Sequence, residues 1–291
     1  MTKGEIDSIS GQETTGHEWD GIKELNHPLP SWWLYTFYAS ILVAVIYWVL
    51  MPAIPWFNGH SNGILGYSQR ASLDHVMEAA TAAQAQYIAR IDQAPSLAAI
   101  QADADLFNFA QAGGRAVFNE NCAACHGLGG SGRPGGFPTL ADDDWIWGGT
   151  LDDIAQTVRH GIRNADPDSR QSVMPNFGTD SILTAPQIAD VAEFVLSLSN
   201  RSTDTAAAGR GKTVFADNCA ACHGDNGQGK PELGAPNLAD AIWLYGDGSK
   251  LAIMAQVTKP KMGVMPAWGG RLSEAQQRMV TVYVHSLSGG Q

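Results

Sequence analysis

Four cysteines and two histidines form a short motif that occurs twice in the sequence. Residues 121–127 are N-C-A-A-C-H-G, and residues 218–224 repeat the same seven letters. Each copy contains C-x-x-C-H, the attachment signature of haem c. Two thiols three positions apart can bond to the two vinyl groups of one porphyrin, and the histidine that follows can bind its iron. The sequence therefore predicts two covalently bound haem c groups, attached through Cys122, Cys125, Cys219 and Cys222, with His126 and His223 as axial ligands.

Other uses of a C-x-x-C pair fit this spacing less well. A zinc site needs about four ligands together, with cysteine pairs usually roughly 12 to 20 residues apart. Here Cys122 and Cys219 are 97 positions apart, and each pair is closed by its own histidine. A thioredoxin-type redox pair would not need to occur twice with a histidine at the same place. Structural disulfides stay open as an alternative, although a three-residue loop is poorly placed to close one.

Length and composition indicate a globular chain with about two domains. The chain has 291 residues, of which 44% are hydrophobic and 16% charged. Its formal net charge of −11 argues against nucleic acid as a partner. Because the haem motifs use all four cysteines, no disulfide framework is predicted.

A long apolar segment near the N-terminus predicts a membrane anchor. Residues 25–69 contain no Asp, Glu, Lys or Arg, and residues 32–51 are long enough as a helix to span a bilayer. Aromatic residues stand at both ends of this segment, and Pro52 and Pro55 end it. A cleaved signal peptide fits poorly, because the flank is acidic and the apolar run is too long. A buried core helix is the other alternative, but soluble domains rarely need so long an apolar run.

Helical periodicity continues after the anchor. An apolar stripe over residues 72–91 predicts a helix with Ser72 as its N-cap. An Ala-rich stretch over residues 96–111 predicts a second helix, ended by Gly113 and Gly114. These helices either open the first haem domain or form a stalk.

The repeat extends beyond the two motifs, and it defines the predicted domains. Residues that match between the copies include Phe118 and Phe215, and near the ends Phe194 and Tyr283. Each repeat therefore has an N-terminal helix that carries the motif, a Gly/Pro-rich loop, a middle helix and a C-terminal helix. The predicted divisions are an arm at 1–30, an anchor at 31–56, a helical connector at 57–108, a first haem domain at 109–199, a linker at 200–208 and a second haem domain at 209–291.

Each repeat has one Met-Pro pair between its middle and last helices, at Met174 and Met265. A thioether there would be the sixth ligand of the iron and would raise its reduction potential. A lone methionine can also fill a core, and Met254, Met262 and His160 are weaker rivals as ligands. The simplest assignment joins each methionine to the histidine of its own repeat, and an exchange between repeats stays open. The carbonyls of Pro138 and Pro236 are predicted to accept the Nδ1–H groups of the axial histidines.

Each repeat resembles a class I cytochrome c domain, and the whole arrangement resembles the CcoP/FixP family of cbb3-type cytochrome c oxidase subunits. Two segments are specific to this resemblance, G-H-E-W-D-G-I-K-E-L-N-H-P-L-P-S-W-W at residues 16–33 and G-Y-S-Q-R at residues 66–70. The resemblance implies an all-α fold, with one N-terminal transmembrane helix followed by two tandem class I cytochrome c domains. It implies the axial ligands His126, Met174, His223 and Met265.

The resemblance also implies function, partners and location. We expect an electron relay in the bacterial inner membrane, with a cytoplasmic N-terminus and periplasmic haem domains. Its partners would be membrane lipid, a catalytic haem–copper oxidase subunit and a monohaem cytochrome c subunit, with a soluble cytochrome c or the bc1 complex as electron donor. From the residues themselves, Lys259 and Lys261 offer a candidate basic rim for an acidic donor; the alternatives are that these lysines are ordinary solvated charges, or that Asp142, Asp143 and Asp144 of the first haem domain dock a basic donor. The alternatives are a tethered shuttle of the cytochrome c4 type and a dihaem peroxidase, which the paired Met-Pro sequences disfavour.

Overall fold

The computed structural model describes residues 4–240 and 242–287 of the chain, so the outermost ends of the predicted arm and of the second predicted haem domain lie outside the described residues. The chain forms two compact units, the first ending at Ala83 and the second beginning at Gln84. The secondary-structure elements in chain order are β1 (Thr14–Trp19), β2 (Ile22–Leu25), α1 (Ser31–Leu50), β3 (Pro55–Trp56), β4 (Gly59–His60), α2 (Gln69–Gln93), α3 (Leu97–Ala102), α4 (Ala104–Asn121), α5 (Ala123–His126), α6 (Leu151–His160), α7 (Ala185–Leu198), α8 (Thr205–Asn218), α9 (Ala220–His223), α10 (Lys250–Thr258) and α11 (Glu274–His285). The fold is mostly helical, as predicted.

The exceptions to the all-α prediction are two short hairpins in the first unit. Strands β1 and β2 pair antiparallel, with Trp19 opposite Ile22. Asp20 and Gly21 form the two-residue turn, with φ values of 49° and 86°. Asp-Gly favours this turn because both central residues need positive φ. The predicted arm is therefore partly a hairpin, and strands β3 and β4 form a second, shorter one.

Helix α1 confirms the predicted apolar helix to within a residue at each end. It has 20 residues with a mean hydropathy of 1.8, and none of its side chains is buried. Two of its hydroxyls bond to the helix backbone, since Thr36 Oγ1 donates to Trp32 O at 2.9 Å and Ser40 Oγ donates to Phe37 O at 2.7 Å. Such pairing removes the cost of placing a hydroxyl in an apolar medium. The helix is long and apolar enough to cross a membrane.

Two predicted helix ends after the anchor are wrong. Helix α2 begins at Gln69, so Ser72 lies inside it, where its N–H donates to Ser68 O at 2.9 Å. The second predicted helix is two helices, because Asp103 ends α3 and caps α4. Gly113 and Gly114 do not end α4, which continues to Asn121.

The two glycines instead allow α11 to lie close against α4. A Cβ at Gly113 would stand 2.6 Å from Met279 Sδ, and one at Gly114 would stand 2.7 Å from Tyr283 Cβ. Met279 Sδ is near the end of a flexible side chain that can move, but a Cβ at Gly114 would also clash with the backbone atom Met279 O, so the approach requires glycine at residue 114. Gly113 and Gly114, which the sequence analysis predicted to end a helix, instead lie where α4 and α11 cross.

The last helices of the two repeats are exchanged. Helix α11, from the second repeat, packs against α4 and α6 of the first, while α7, from the first repeat, packs against α8 and α10 of the second. Equivalent aromatic pairs cross in this way, with ring centroids 5.5 Å apart for Phe118 and Tyr283 and 5.0 Å apart for Phe194 and Phe215. Each core thus contains side chains from both repeats.

We name the two cores by the haem motif beside them. The first core consists of Val117, Phe118, Ala123, Ile154, Leu272, Val280 and Val284. The second core includes Phe177, Leu183, Ile188, Val191, Val195, Phe215, Cys219, Ala220, Ile253 and Val257. A further cluster joins α11 to the connector helices, where Arg278 Nη1 donates to Ile91 O at 2.9 Å and to Ala94 O at 2.8 Å.

A buried carboxylate holds the linker between the repeats. Glu193 on α7 is 1% exposed. Its Oε2 accepts from Ser202 Oγ at 2.7 Å, Thr203 N at 3.2 Å and Asp204 N at 3.4 Å, and its Oε1 pairs with Lys250 Nζ at 2.9 Å. These bonds lower the pKa of Glu193 to about 2, the Ser202 hydroxyl contributing most and Lys250 next. The linker and the start of α10 are fixed to α7 through this one side chain.

Candidate haem-binding sites

Both cysteine motifs lie on the same local structure. Helix α4 ends at Asn121, and Ala123–His126 form one further turn, α5, which ends at Gly127 with φ of 75°. The second copy repeats this geometry at α8 and α9. All four cysteines are described, and all are free thiols, so the disulfide alternative fails.

The two thiols of each motif differ in exposure. Cys122 is half-buried and Cys219 buried, whereas Cys125 and Cys222 are exposed. Burial raises the pKa of Cys122 and of Cys219 to about 11. Both inner thiols are therefore protonated at neutral pH, while one thiol of each pair remains open to a ligand from outside.

The axial histidines have one ring nitrogen fixed, as the sequence predicted. His126 Nδ1 lies 3.1 Å from Pro138 O, and His223 Nδ1 lies 3.0 Å from Pro236 O. A carbonyl only accepts, so Nδ1 carries the hydrogen and the Nε2 lone pair is left for a metal. Burial lowers the pKa of both histidines against the smaller opposing effect of this bond. Each ring is thus a neutral ligand with a set orientation.

Glycines let the loop after each motif fold back to supply that carbonyl. Gly132 N donates to His126 O at 2.7 Å, and Gly229 N donates to His223 O at 2.8 Å. A Cβ at Gly132 would lie 2.8 Å from Thr139 N, and one at Gly229 would lie 2.7 Å from Asn237 N. Glycine is required because both residues have positive φ and meet backbone at close range.

The loops of the two repeats touch each other at equivalent positions. A side chain at Gly136 would overlap the ring of Tyr245, and one at Gly234 would overlap the ring of Trp147. Acidic side chains from both loops also meet here: burial raises the pKa of Asp144 to about 6, and Asp240 of the other repeat adds to the shift. The two histidine sites are therefore neighbours across one loop contact.

Met265 lies against the first core. Its backbone pairs with Ile162 just after α6, with Ile162 N to Met265 O and Met265 N to Ile162 O both at 3.0 Å. Farther along the same segment, Trp268 N donates to Val158 O at 3.2 Å, and the Trp268 side chain packs on the first core. Since Ala123 of α5 belongs to that core, the structure brings Met265 together with the first motif.

Met174 lies against the second core. Its side chain packs on the cluster that contains Cys219 and Ala220. The segment after it runs along the end of α10, where Gly178 N and Thr179 N both donate to Thr258 O at 3.2 Å. The structure thus has the exchanged arrangement that the sequence left open, with Met174 beside the second motif rather than beside its own.

The rival ligands are occupied or differently placed. His160 Nδ1 lies 3.2 Å from Asp166 Oδ1, and these groups form a small cluster with Asp168. Met254 packs on the second core from α10, and Met262 is exposed. Met174 and Met265 remain the methionines at equivalent positions in the two cores.

The donor set fits haem c. Each site offers two thiols, an imidazole with a free Nε2 and a thioether, which is the ligand set of a six-coordinate haem c. The buried Trp243 Nε1 also has no hydrogen-bond partner among the described residues. An unpaired buried donor is costly, and a haem propionate would satisfy it. The sequence matched Trp243 to Trp145 but indicated no role for it.

Sequence reasoning also missed Arg163 and Asn164. Asn164 Nδ2 donates to Met265 O at 2.7 Å, and Arg163 Nε donates to Gly263 O at 2.8 Å. Both side chains come from the first repeat and hold a segment of the second. Without the exchange in view, the loop between α6 and Met174 has no sequence signal that would reveal them.

Comparisons with known proteins agree along the whole chain. Residues 11–58 match the N-terminal domain of cytochrome oxidase-cbb3, FixP; residues 111–199 match cytochrome c; and residues 206–284 match cytochrome c oxidase, cbb3-type, subunit III. The chain is 53% identical to a cbb3-type cytochrome c oxidase subunit CcoP of Azospirillum brasilense, with 100% of both chains covered. It is 50% identical to a FixPc subunit of Rhizobium leguminosarum bv. viciae, again over 100% of both chains, and 49% identical to a CcoP subunit of Cereibacter sphaeroides over 96% of this chain and 95% of that one.

Proposed function

The chain belongs to the CcoP/FixP family of cbb3-type cytochrome c oxidase subunits, and from this premise we propose how its residues carry electrons. It is a membrane-anchored c-type cytochrome that relays electrons within the oxidase complex. The match over the full length of a cbb3 oxidase subunit is the observation that favours this function rather than that of a tethered shuttle without an oxidase. The haem iron supplies the electron carrier, alternating between its ferric and ferrous states.

We propose that the chain holds two haems with crossed axial ligands. Cys122 and Cys125 tether one haem, which His126 and Met265 bind from its two faces. The second haem has Cys219 and Cys222 as tethers, with His223 and Met174 as axial ligands. The backbone pairing of Met265 with Ile162 of the first repeat and the packing of the Met174 side chain on the second core support this pairing.

The residues around each site then keep the relay free of side chemistry. In each site the histidine fixed by a proline carbonyl and the methionine would both hold the haem iron, so these residues would supply electron transfer rather than oxygen binding. Methionine also favours the ferrous state, so it raises the reduction potential. The contact between the two loops, at Gly136 and Gly234, supports direct electron transfer from one haem to the other.

We further propose the orientation and the partners. Helix α1 crosses the bacterial inner membrane once, with the arm in the cytoplasm and both haem sites in the periplasm, because haem is attached to C-x-x-C-H outside the cytoplasmic membrane. The relay delivers to the catalytic haem–copper subunit, beside a monohaem cytochrome c subunit. Its electrons come from a soluble cytochrome c or from the bc1 complex.

Variants that keep only one haem test the crossed ligands. In a Cys219→Ala, Cys222→Ala background, one covalent haem should remain per chain. Met265→His should then lower its midpoint potential and remove its methionine–iron absorption band, because imidazole favours ferric iron more than a thioether does. Met174→His in the same background is the matched control and should leave both unchanged.

The opposite result has a clear meaning. If Met174→His removes the band and Met265→His does not, each methionine serves the histidine of its own repeat. If neither variant changes the band, the methionines only fill the cores, and the proposed ligand set fails.

A further inference from the structure

The side chain of Arg163 bonds to both methionine segments. Its Nε donates to Gly263 O at 2.8 Å, and its Nη1 donates to Ser172 O at 3.2 Å. Gly263 is two residues before Met265, and Ser172 is two residues before Met174. One guanidinium therefore joins the segments that carry the candidate ligands of two different sites.

The backbone of Arg163 is held in an uncommon conformation. Its φ is 50°, in the left-handed region that residues with a Cβ rarely adopt. The neighbouring Ile162 pairs with Met265 on one side, and Arg163 N donates to Arg170 O at 2.9 Å on the other. Such a conformation persists where surrounding contacts fix it, and it is common at functional sites. In Arg163 this backbone conformation places the guanidinium group between the Met174 and Met265 segments.

The second repeat has no equivalent of this link. The first repeat connects α6 to Met174 through residues 161–173, whereas the second connects α10 to Met265 through the shorter stretch 259–264. Arg163 lies in the additional length of the first loop. Since the pseudo-symmetry of the two sites does not extend to it, this single residue serves both.

We propose that Arg163 is a positioning residue shared by the two haem sites, which sets the Met174 and Met265 segments relative to each other. The inference rests on the crossed ligation proposed above. Arginine suits the task because its planar guanidinium holds separate donor nitrogens in a fixed geometry, whereas the three donors of lysine share one rotatable nitrogen. A perturbation of this one side chain should therefore reach both axial bonds.

Hydrogen–deuterium exchange of the full dihaem chain tests the link without reference to iron. Arg163→Gln should speed amide exchange in both methionine segments by about tenfold, the loss of one charge-assisted hydrogen bond at each. The protected amides that report this are Phe177, Gly178 and Thr179 after Met174, and Met265 itself. Asn164→Ala is a matched control, because of the two methionine segments the Asn164 side chain reaches only the one at Met265 O, and its other bonds, to His160 O and from Asp166 N, stay in its own loop. It should speed exchange in the Met265 segment alone.

A second control separates the link from general loosening of the loop. Arg170 lies in the same loop, but its side chain donates to Thr157 Oγ1 at 2.9 Å and to Asp153 O at 3.1 Å, both on α6. Arg170→Gln should leave exchange in the two methionine segments unchanged. The proposal is overturned if Arg163→Gln speeds exchange in only one segment or in neither.

Redox titration of the same variants measures the midpoint potentials of the two haems. Arg163→Gln should lower both midpoint potentials, whereas Asn164→Ala should lower one. If exchange rises in both segments while both potentials stay unchanged, the link is real and the proposed methionine ligation is what fails. If Arg163→Gln does not retain two haems, Arg163→Lys replaces it: one ammonium nitrogen cannot occupy the positions of both Nε and Nη1, so exchange should rise in at least one segment, and full protection of both would overturn the proposal.

Discussion

Replacing Glu193 with glutamine should destabilise the chain at neutral pH and lose that effect in acid. Glutamine has nearly the same shape, so it keeps the packing of α7, while it removes the negative charge and replaces one acceptor oxygen with an NH2 donor. The charge matters because Ser202, the linker amides and Lys250 converge on it. The perturbation is thus a direct measure of what the carboxylate contributes to holding the linker.

The magnitude follows from the pKa of Glu193. The hydrogen bond from Ser202, and then the one from Lys250, lower this pKa from an ordinary 4.5 to about 2. Each unit corresponds to about 1.4 kcal/mol, so the whole shift is worth at most about 3 to 4 kcal/mol of unfolding free energy. The side chain of Lys250 is 39% exposed, and solvent screening weakens its share, so we expect about 1 to 2 kcal/mol.

The direction of the pKa shift determines the pH range in which Glu193 contributes to stability. A carboxyl with a depressed folded-state pKa contributes its stability above the unfolded value and loses it as pH falls through the folded value. The difference between the native chain and Glu193→Gln should therefore be constant above pH 4.5 and vanish as pH approaches about 2.

Urea unfolding in detergent, followed by far-ultraviolet circular dichroism, measures this difference at each pH. Glu120→Gln, at an exposed position on α4, is the matched control and should show no such dependence. A difference for Glu193→Gln that stays the same from pH 7 to pH 3, or that is absent at pH 7, would refute the role assigned to the carboxylate.

Three further predictions follow from the fold and the proposed function. Gly114→Val should lower the unfolding free energy by about 1–3 kcal/mol, because the new side chain forces α11 away from α4. Gly211→Val should have the same effect on the contact of α8 with α7, since a Cβ at Gly211 would meet Phe194 Cβ at 3.0 Å. Thermal unfolding measures both changes, and native stability in both variants would contradict the exchanged packing. Lys259→Glu with Lys261→Glu should slow oxidation of an acidic donor cytochrome and weaken its salt dependence while leaving the rate with a small reductant intact, as stopped-flow kinetics can show; a normal donor rate would place electron entry elsewhere. The chain should stay in the membrane pellet at high salt and alkaline pH and enter the supernatant only with detergent, because apolar insertion is not screened by ions; release by salt alone would contradict a spanning α1.

Local patterns in the sequence predicted most of each haem site. The two C-x-x-C-H motifs and their glycine-rich loops are short-range features, so the carbonyls of Pro138 and Pro236 could be assigned to the histidines in advance. The apolar helix α1 was equally predictable from its length and lack of charge. The hairpin at Asp20 and Gly21 was missed although its turn signal was present.

The pairing of helices was beyond the sequence for a physical reason. The two repeats place similar apolar side chains at matching positions, so α7 and α11 carry nearly the same face and either could cover either motif. Gly114 shows the difficulty, because glycine marks both the end of a helix and a close crossing, and only the partner helix decides between them. The Arg163 link depends on that choice and could not be foreseen without it.

The exchange of α7 and α11 sets an order for the maturation of the chain. In the orientation proposed above, the first motif would leave the cytoplasm early, whereas α11, which closes its core, would follow last. When the second motif emerges, Met174 and α7 are already present to receive it. The site of the second motif is therefore completed before the site of the first motif. A chain that ends before α11 would lack the helix that closes the core beside the first motif.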